Sequence, residues 1–194
     1  MRRALAHILF CCAFLAPSLG TAHADEPEAT SSPSPNGQES TVAYQIGSLA
    51  IHGSDIDAFV VGLGIFDVAD NETSAAATME YRFGRKLWII GPALGGMANT
   101  DGGMFGYFGL YSDLSVGSFF LTPQLAMGAY REGDSRDLGG VFQFRQSVDL
   151  AYRFENSHRL GARVTHVSNA GIYDSNPGEE EVYLTYSLPF GPLL

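Results

Sequence analysis

The sequence predicts an all-β fold, an eight-stranded antiparallel transmembrane β-barrel. Three observations carry this expectation: a run of alternating segments, an export signal ahead of them, and a composition poor in charge. From Ile56 onward the chain breaks into eight runs of about ten residues, each bounded by Gly, Asn, Asp or Pro. Among the 194 residues 45% are hydrophobic and 16% charged, well under the roughly 25% charge of ordinary soluble domains. No apolar stretch after residue 24 reaches the length of about 20 residues that a membrane helix needs. A membrane fold built from this chain therefore has to cross with strands.

The segments before Ile56 are read in order. Met1-Arg2-Arg3 is a short positive region, followed by apolar Ala4 to Leu15, then Pro17, Gly20 and Ala22-His23-Ala24. These are the parts of a secretory signal peptide, with cleavage expected after Ala24. Both cysteines, Cys11 and Cys12, fall inside it, so the exported chain has neither disulfides nor thiol metal sites. Residues 25–40 (DEPEATSSPSPNGQES) are polar and proline-rich, the composition of a disordered linker. The barrel domain is expected over 41–194, with Thr41 to His52 as a lead-in strand or a plug and strands from about residue 56. The formal charge is −10 and Lys86 is the single lysine, which argues against a nucleic-acid partner because phosphate contacts need clustered cations.

Strands are predicted at 56–68, 73–83, 86–98, 103–112, 116–128, 139–154, 159–169 and 180–190. Asp70-Asn71, Gly84-Arg85, Asn99 to Gly102 and Glu155 to Ser157 supply turn chemistry between them. The sixth segment defines the environment. Phe142, Phe144, Val148, Leu150, Tyr152 and Phe154 fall on one parity; Gln143, Arg145, Ser147, Asp149 and Arg153 fall on the other. In a strand these sets point to opposite faces. A soluble barrel puts the apolar face inside, and an outer-membrane barrel puts it outside toward lipid. Alternation by itself does not choose; the export signal, the even strand count and the strand lengths favour the membrane sense. Tyr107, Phe108, Tyr111, Phe119 and Phe120 near strand ends suit interfacial girdles or plain packing.

Parity also locates the candidate chemistry. His166 and Ser168 are two apart on the seventh segment, on the face of Leu160, Ala162 and Val164, opposite Arg159, Arg163 and Thr165. In a membrane barrel that face meets lipid, where polar groups are costly unless they act. A serine nucleophile needs a base, and the base needs an acid to fix its tautomer. Glu179, Glu180 and Glu181 open the next strand. Glu180 shares the face of Val182, Leu184 and Tyr186; Glu181 points inward, and Glu179 is assigned to the turn. Glu180 is thus the carboxylate able to reach His166 across the hairpin. Asn169 and the Asn176-Pro177-Gly178 turn are candidate amide donors to an oxyanion.

The segment His166-Val167-Ser168-Asn169-Ala170-Gly171, with Asn176, Gly178 and Glu180 beyond it, resembles the signature of the PagL-type lipid A 3-O-deacylases. The resemblance implies an outer-membrane esterase that removes the ester-linked acyl chain at the 3-position of lipid A through a Ser-His-Glu triad. It assigns the base to His166, the nucleophile to Ser168 and the orienting acid to Glu180; Asn169, Gly171 and Asn176 match positions around the oxyanion. No cofactor and no metal are implied. The implied partners are lipid A or lipopolysaccharide and outer-membrane lipids, with a homodimer admitted. Two other readings share part of the sequence pattern: a non-catalytic eight-stranded barrel with a structural or adhesive role, and a soluble exported carrier whose apolar faces line a ligand cavity.

Overall fold

The structure, a computed structural model, describes residues 41–70 and 73–190. The expected signal peptide and linker lie outside the described residues. Eleven strands form one antiparallel sheet. In chain order they are β1 (Val42–Ile46), β2 (Leu49–His52), β3 (Asp57–Phe66), β4 (Ser74–Arg82), β5 (Gly91–Asn99) and β6 (Met104–Tyr111). There follow β7 (Asp113–Val116), β8 (Phe119–Arg131), β9 (Phe142–Arg153), β10 (Arg159–Ser168) and β11 (Glu179–Phe190). The ring runs β3-β4-β5-β6-β8-β9-β10-β11 and returns to β3, and β8–β9 pairing completes it. Closure leaves the long strands without unpaired edges.

The three short strands belong to one end of the wall. β7 continues the path of β6 past Ser112, whose N–H donates to Pro123 O at 3.1 Å. The β1–β2 hairpin then pairs with β7, from Leu49 opposite Val116 to His52 opposite Asp113. Thr41 to His52 is therefore a hairpin extending the sheet, neither a lone lead-in strand nor a plug. The third predicted strand starts later than expected, at Gly91, because Leu87 and Ile90 close a tight turn on each other with Trp88 at φ 60°. Trp88 packs edge-on against Tyr44 of β1, with ring centroids 5.6 Å apart.

Side chains sort by parity as in an outer-membrane barrel. Leu63 (73% exposed), Leu125 (67%), Leu184 (64%) and Phe108 (60%) stand on the outer surface, whereas Arg145, Arg163, Glu80 and Glu181 are fully buried inside. The apolar faces point away from the interior, so they line no ligand cavity and the soluble-carrier reading is excluded. Of the candidate girdle aromatics, Phe108 and Phe119 face outward; Tyr107, Tyr111 and Phe120 are buried in the interior.

Most of the charges in the barrel interior are paired. Arg82 Nε lies 2.7 Å from Glu80 Oε1, while Arg163 Nη2 reaches Glu80 Oε1 at 3.2 Å and Asp149 Oδ2 at 2.9 Å. Arg145 pairs with Glu181. These interlocked ions fill the barrel rather than leave a pore; the small cavity beside Arg82 and Asp113 holds only about 20 Å³.

The two ends differ. Asp57 opposite Phe190 brings the start of β3 beside the end of β11, and the turns at 83–90, 117–118 and 154–158 lie at this same end. The opposite end carries the connections 67–73, 100–103, 132–141 and 169–178. Outer-membrane barrels keep termini and short turns on the periplasmic side and long loops outside. The end bearing loop 169–178 is accordingly the outer end.

Candidate active site on the outer wall

The site sits where β10 and β11 leave the wall at the outer end. His166 and Glu180 are direct cross-strand partners, the pairing in which side chains on one face meet. Glu180 Oε1 lies 3.2 Å from His166 Nδ1, and both side chains are a little under half exposed. That contact leaves Nε2 as the imidazole nitrogen available for proton transfer. Ser168 follows on the same face, opposite Phe144 of β9, and is 9% exposed. His166 and Ser168 are not hydrogen-bonded to each other in this structure; catalytic contacts of this kind often tighten only when substrate is present.

The imidazole rests on Gly178. A Cβ built at that position would lie 3.2 Å from His166 Cε1 and 3.8 Å from Nε2, and the residue has φ +66°. Only glycine combines that conformation with that close approach at low cost. The returning loop thus brings a residue without a side chain up to the Cε1–Nε2 side of the ring while Glu180 holds Nδ1.

Asn169, wholly buried, ties the loop together. Its Nδ2 donates to Leu138 O at 2.8 Å and to Ser175 O at 2.7 Å, and its Oδ1 accepts from the Gly171 N–H at 2.9 Å. Its own backbone N–H donates to Asn176 Oδ1 at 3.0 Å. Both side-chain donors of Asn169 are engaged within the loops in this structure, so the amide holds the turn that follows Ser168. Asn176 likewise acts here as an acceptor that fixes the turn. The chain reverses at Ala170 (φ 53°) and Gly171 (φ 79°). Among the described residues the Ala170 N–H has no hydrogen-bond partner, which leaves it as a backbone donor two residues beyond Ser168.

Parity separates the three glutamates as expected for two of them. Glu180 is on the outer face, and Glu181 is buried inside against Arg145. Glu179, assigned to the turn from sequence, instead opens β11 and is 1% exposed, its Oε2 accepting the Asp67 N–H at 3.3 Å. An inward carboxylate caps the loop here because β11 begins at Glu179, one residue before the predicted start at 180, and Glu179 shares the inward parity of Glu181. Nearby, Arg136 bridges Asp67 and Asp70 at 3.0 and 2.6 Å. Burial opposes its charge, but the hydrogen bonds it donates to Asp70 and Asp67 outweigh that and raise its pKa. Sequence reading missed Leu138, which acts through its backbone carbonyl, and named Gly178 and Ala170 only as members of the motif and its turn, without the close approach of Gly178 to the imidazole.

These features define a class: a closed outer-membrane-type barrel carrying a serine and a His–Glu pair on its outer wall. The family model described as lipid A 3-O-deacylase (PagL) matches residues 35–189, and the chain belongs to that family. It is similar to the lipid A deacylase PagL of Bordetella bronchiseptica, 43% identical over 53 residues, which are 27% of this chain and 30% of that protein. It is also similar to the lipid A deacylase PagL of Pseudomonas aeruginosa, 34% identical over 73 residues, 36% of this chain and 42% of the other. The aligned segments thus span well under half of each relative. The fold is similar to the crystal structure of the outer membrane enzyme PagL, with TM-score 0.55 and 18% identity over 69% of this chain and 99% of that one.

Proposed function

We propose that the protein is an outer-membrane esterase that hydrolyses the acyl ester at the 3-position of lipid A. The observation that carries the reading is the His166–Glu180 contact at 3.2 Å on the lipid-facing wall, with Ser168 beside it on the same face. Family membership supplies the substrate class. The position of the residues fits it, because an acyl chain of a membrane lipid lies against this surface without leaving the bilayer.

In this mechanism Glu180 fixes the Nδ1–H tautomer of His166, and Nε2 takes the proton of Ser168 as its oxygen attacks the ester carbonyl. The tetrahedral oxyanion needs preorganised donors, and the Ala170 N–H is a free backbone donor two residues beyond Ser168. His166 then gives the proton to the sugar-side oxygen as the C–O bond breaks. Water, deprotonated by the same nitrogen, releases the fatty acid and restores Ser168. Asn169 and Asn176 hold the turn in shape, and Gly171 allows its reversal.

The test is mass spectrometry of lipid A from Gram-negative cells producing the protein in their outer membrane. Wild type is expected to remove one 3-linked hydroxyacyl chain. Ser168→Ala and His166→Ala abolish that loss and Glu180→Ala reduces it sharply, all three folding normally. Unchanged lipid A with folded wild-type protein in the membrane overturns the reading and favours a non-catalytic barrel.

A further inference from the structure

A second feature lies on the same outer wall, three strands from the nucleophile. Gly96, Gly106 and Ala129 stand in register across β5, β6 and β8, and Ala129 lies opposite Phe142 of β9. They interrupt a surface otherwise built of large apolar side chains. The β6–β8 part of this notch is an open groove of about 430 Å³, lined by Met104, Gly106, Ala129, Arg131 and Val141. The Ser168–Phe144–Met127 register is the outward row next to the one that holds Ala129 and Phe142, so groove and nucleophile lie on adjacent rows of the wall. Strand spacing puts the groove roughly 10–14 Å from β10 around the barrel. Phe142 and Phe144, packed edge-to-face at 5.2 Å, form the ridge between them.

Arg131 closes the outer end of the groove. The rim around it is acidic, with Glu132, Asp134 and Asp137 exposed on the following loop. Arg136 is committed to Asp67 and Asp70, and among the described residues Arg131 is the rim cation with no carboxylate partner. An open apolar depression bordered at its outer end by a guanidinium without a carboxylate partner suits an anionic lipid lying on the wall. Its distance from Ser168 suits a multi-chain lipid better than a single-chain one.

We propose that the groove and Arg131 seat a second acyl chain and a headgroup phosphate of the same lipid A molecule whose 3-linked ester lies at Ser168. This rests on the proposed function for the identity of the lipid. The arrangement makes β6–β8 a specificity surface: the phosphate fixes the position of the disaccharide along the rim, and the second chain fixes its rotation. Both bring the scissile ester to the serine.

The test separates binding from hydrolysis. Ser168→Ala protein, folded in detergent, is mixed with bis-phosphorylated lipid A or its dephosphorylated form, and bound lipid is read by native mass spectrometry. Gly106→Leu fills the notch without meeting any atom within 4 Å of the new Cβ, so the barrel folds; Ala77→Leu, outward on β4, is the control. Expected are one phosphorylated lipid A retained by Ser168→Ala, at least a tenfold loss on adding Gly106→Leu or Arg131→Glu, and no loss with Ala77→Leu. The dephosphorylated lipid is expected to bind more weakly and to ignore Arg131→Glu. Equal retention by all variants means annular lipid only and overturns the proposal. Variant-sensitive retention together with unchanged lipid A in cells sustains the binding site and instead removes the esterase reading.

Discussion

At the scale of single residues, His166 is positioned from two sides by different means. Glu180 holds Nδ1 by charge and hydrogen bond, and Gly178 admits the Cε1–Nε2 side of the ring by having nothing beyond its backbone. A methyl group at 178 would contact Cε1 closely and would sit at a positive φ that L residues disfavour. Gly178→Ala is therefore expected to lower kcat by roughly ten- to a hundredfold through displacement of the imidazole. The barrel itself should keep its heat-resistant mobility on a denaturing gel. Unaltered kcat in a folded Gly178→Ala protein would mean that the ring does not depend on this contact. Asn169 illustrates the limit of motif reading at this scale: its presence was legible, but its use depends on Leu138, more than thirty residues away. No local pattern marks a carbonyl that far off.

At the scale of elements, the β10–β11 hairpin decides which carboxylate meets His166. A one-residue slip would turn every side chain to the other face and bring Glu179 or Glu181 outward in place of Glu180. The buried ion pair of Glu181 with Arg145 and the Glu179 contact to the Asp67 N–H both oppose such a slip. Glu180→Gln is thus expected to lower kcat roughly a hundredfold or more, while Glu179→Gln leaves hydrolysis close to wild type; assays of lipid A hydrolysis on folded protein compare them. The reverse order would overturn the strand-parity assignment. Parity made these strands legible because each long strand sees lipid on one side and packed charge on the other. It failed where pairing is non-local. The β1–β2 hairpin finds β7, and no periodicity in twelve residues announces that partner. The late start of β5 has the same character, since Trp88 turns there to meet Tyr44.

At the scale of the whole molecule, the interior network states the barrel's orientation more firmly than alternation does. Alternation is symmetric with respect to inside and outside; the fully buried Arg145 and Arg163 beside exposed leucines are not. Removing Arg163 leaves two buried carboxylates to Arg82 alone. Arg163→Ala leaves Glu80 and Asp149 each short of a cation, and truncating one partner of a buried pair costs on the order of 3–5 kcal/mol. The expected outcome is a markedly lower urea midpoint for the folded protein in lipid, whereas Leu125→Ala on the outer wall changes it little. An unchanged midpoint for Arg163→Ala would show that the network is not what closes the barrel.

The rigid, ion-filled interior leaves the outer wall as the place for chemistry, and the account stands or falls on Ser168 being an activated nucleophile there. The most direct measurement is reaction of the detergent-folded protein with a lipophilic fluorophosphonate, followed by peptide mapping. The account predicts a single covalent adduct on Ser168 in wild type, formed far more slowly in His166→Ala. Folded protein that hydrolyses lipid A yet acquires no adduct at Ser168, or acquires one at the same rate without His166, would contradict it.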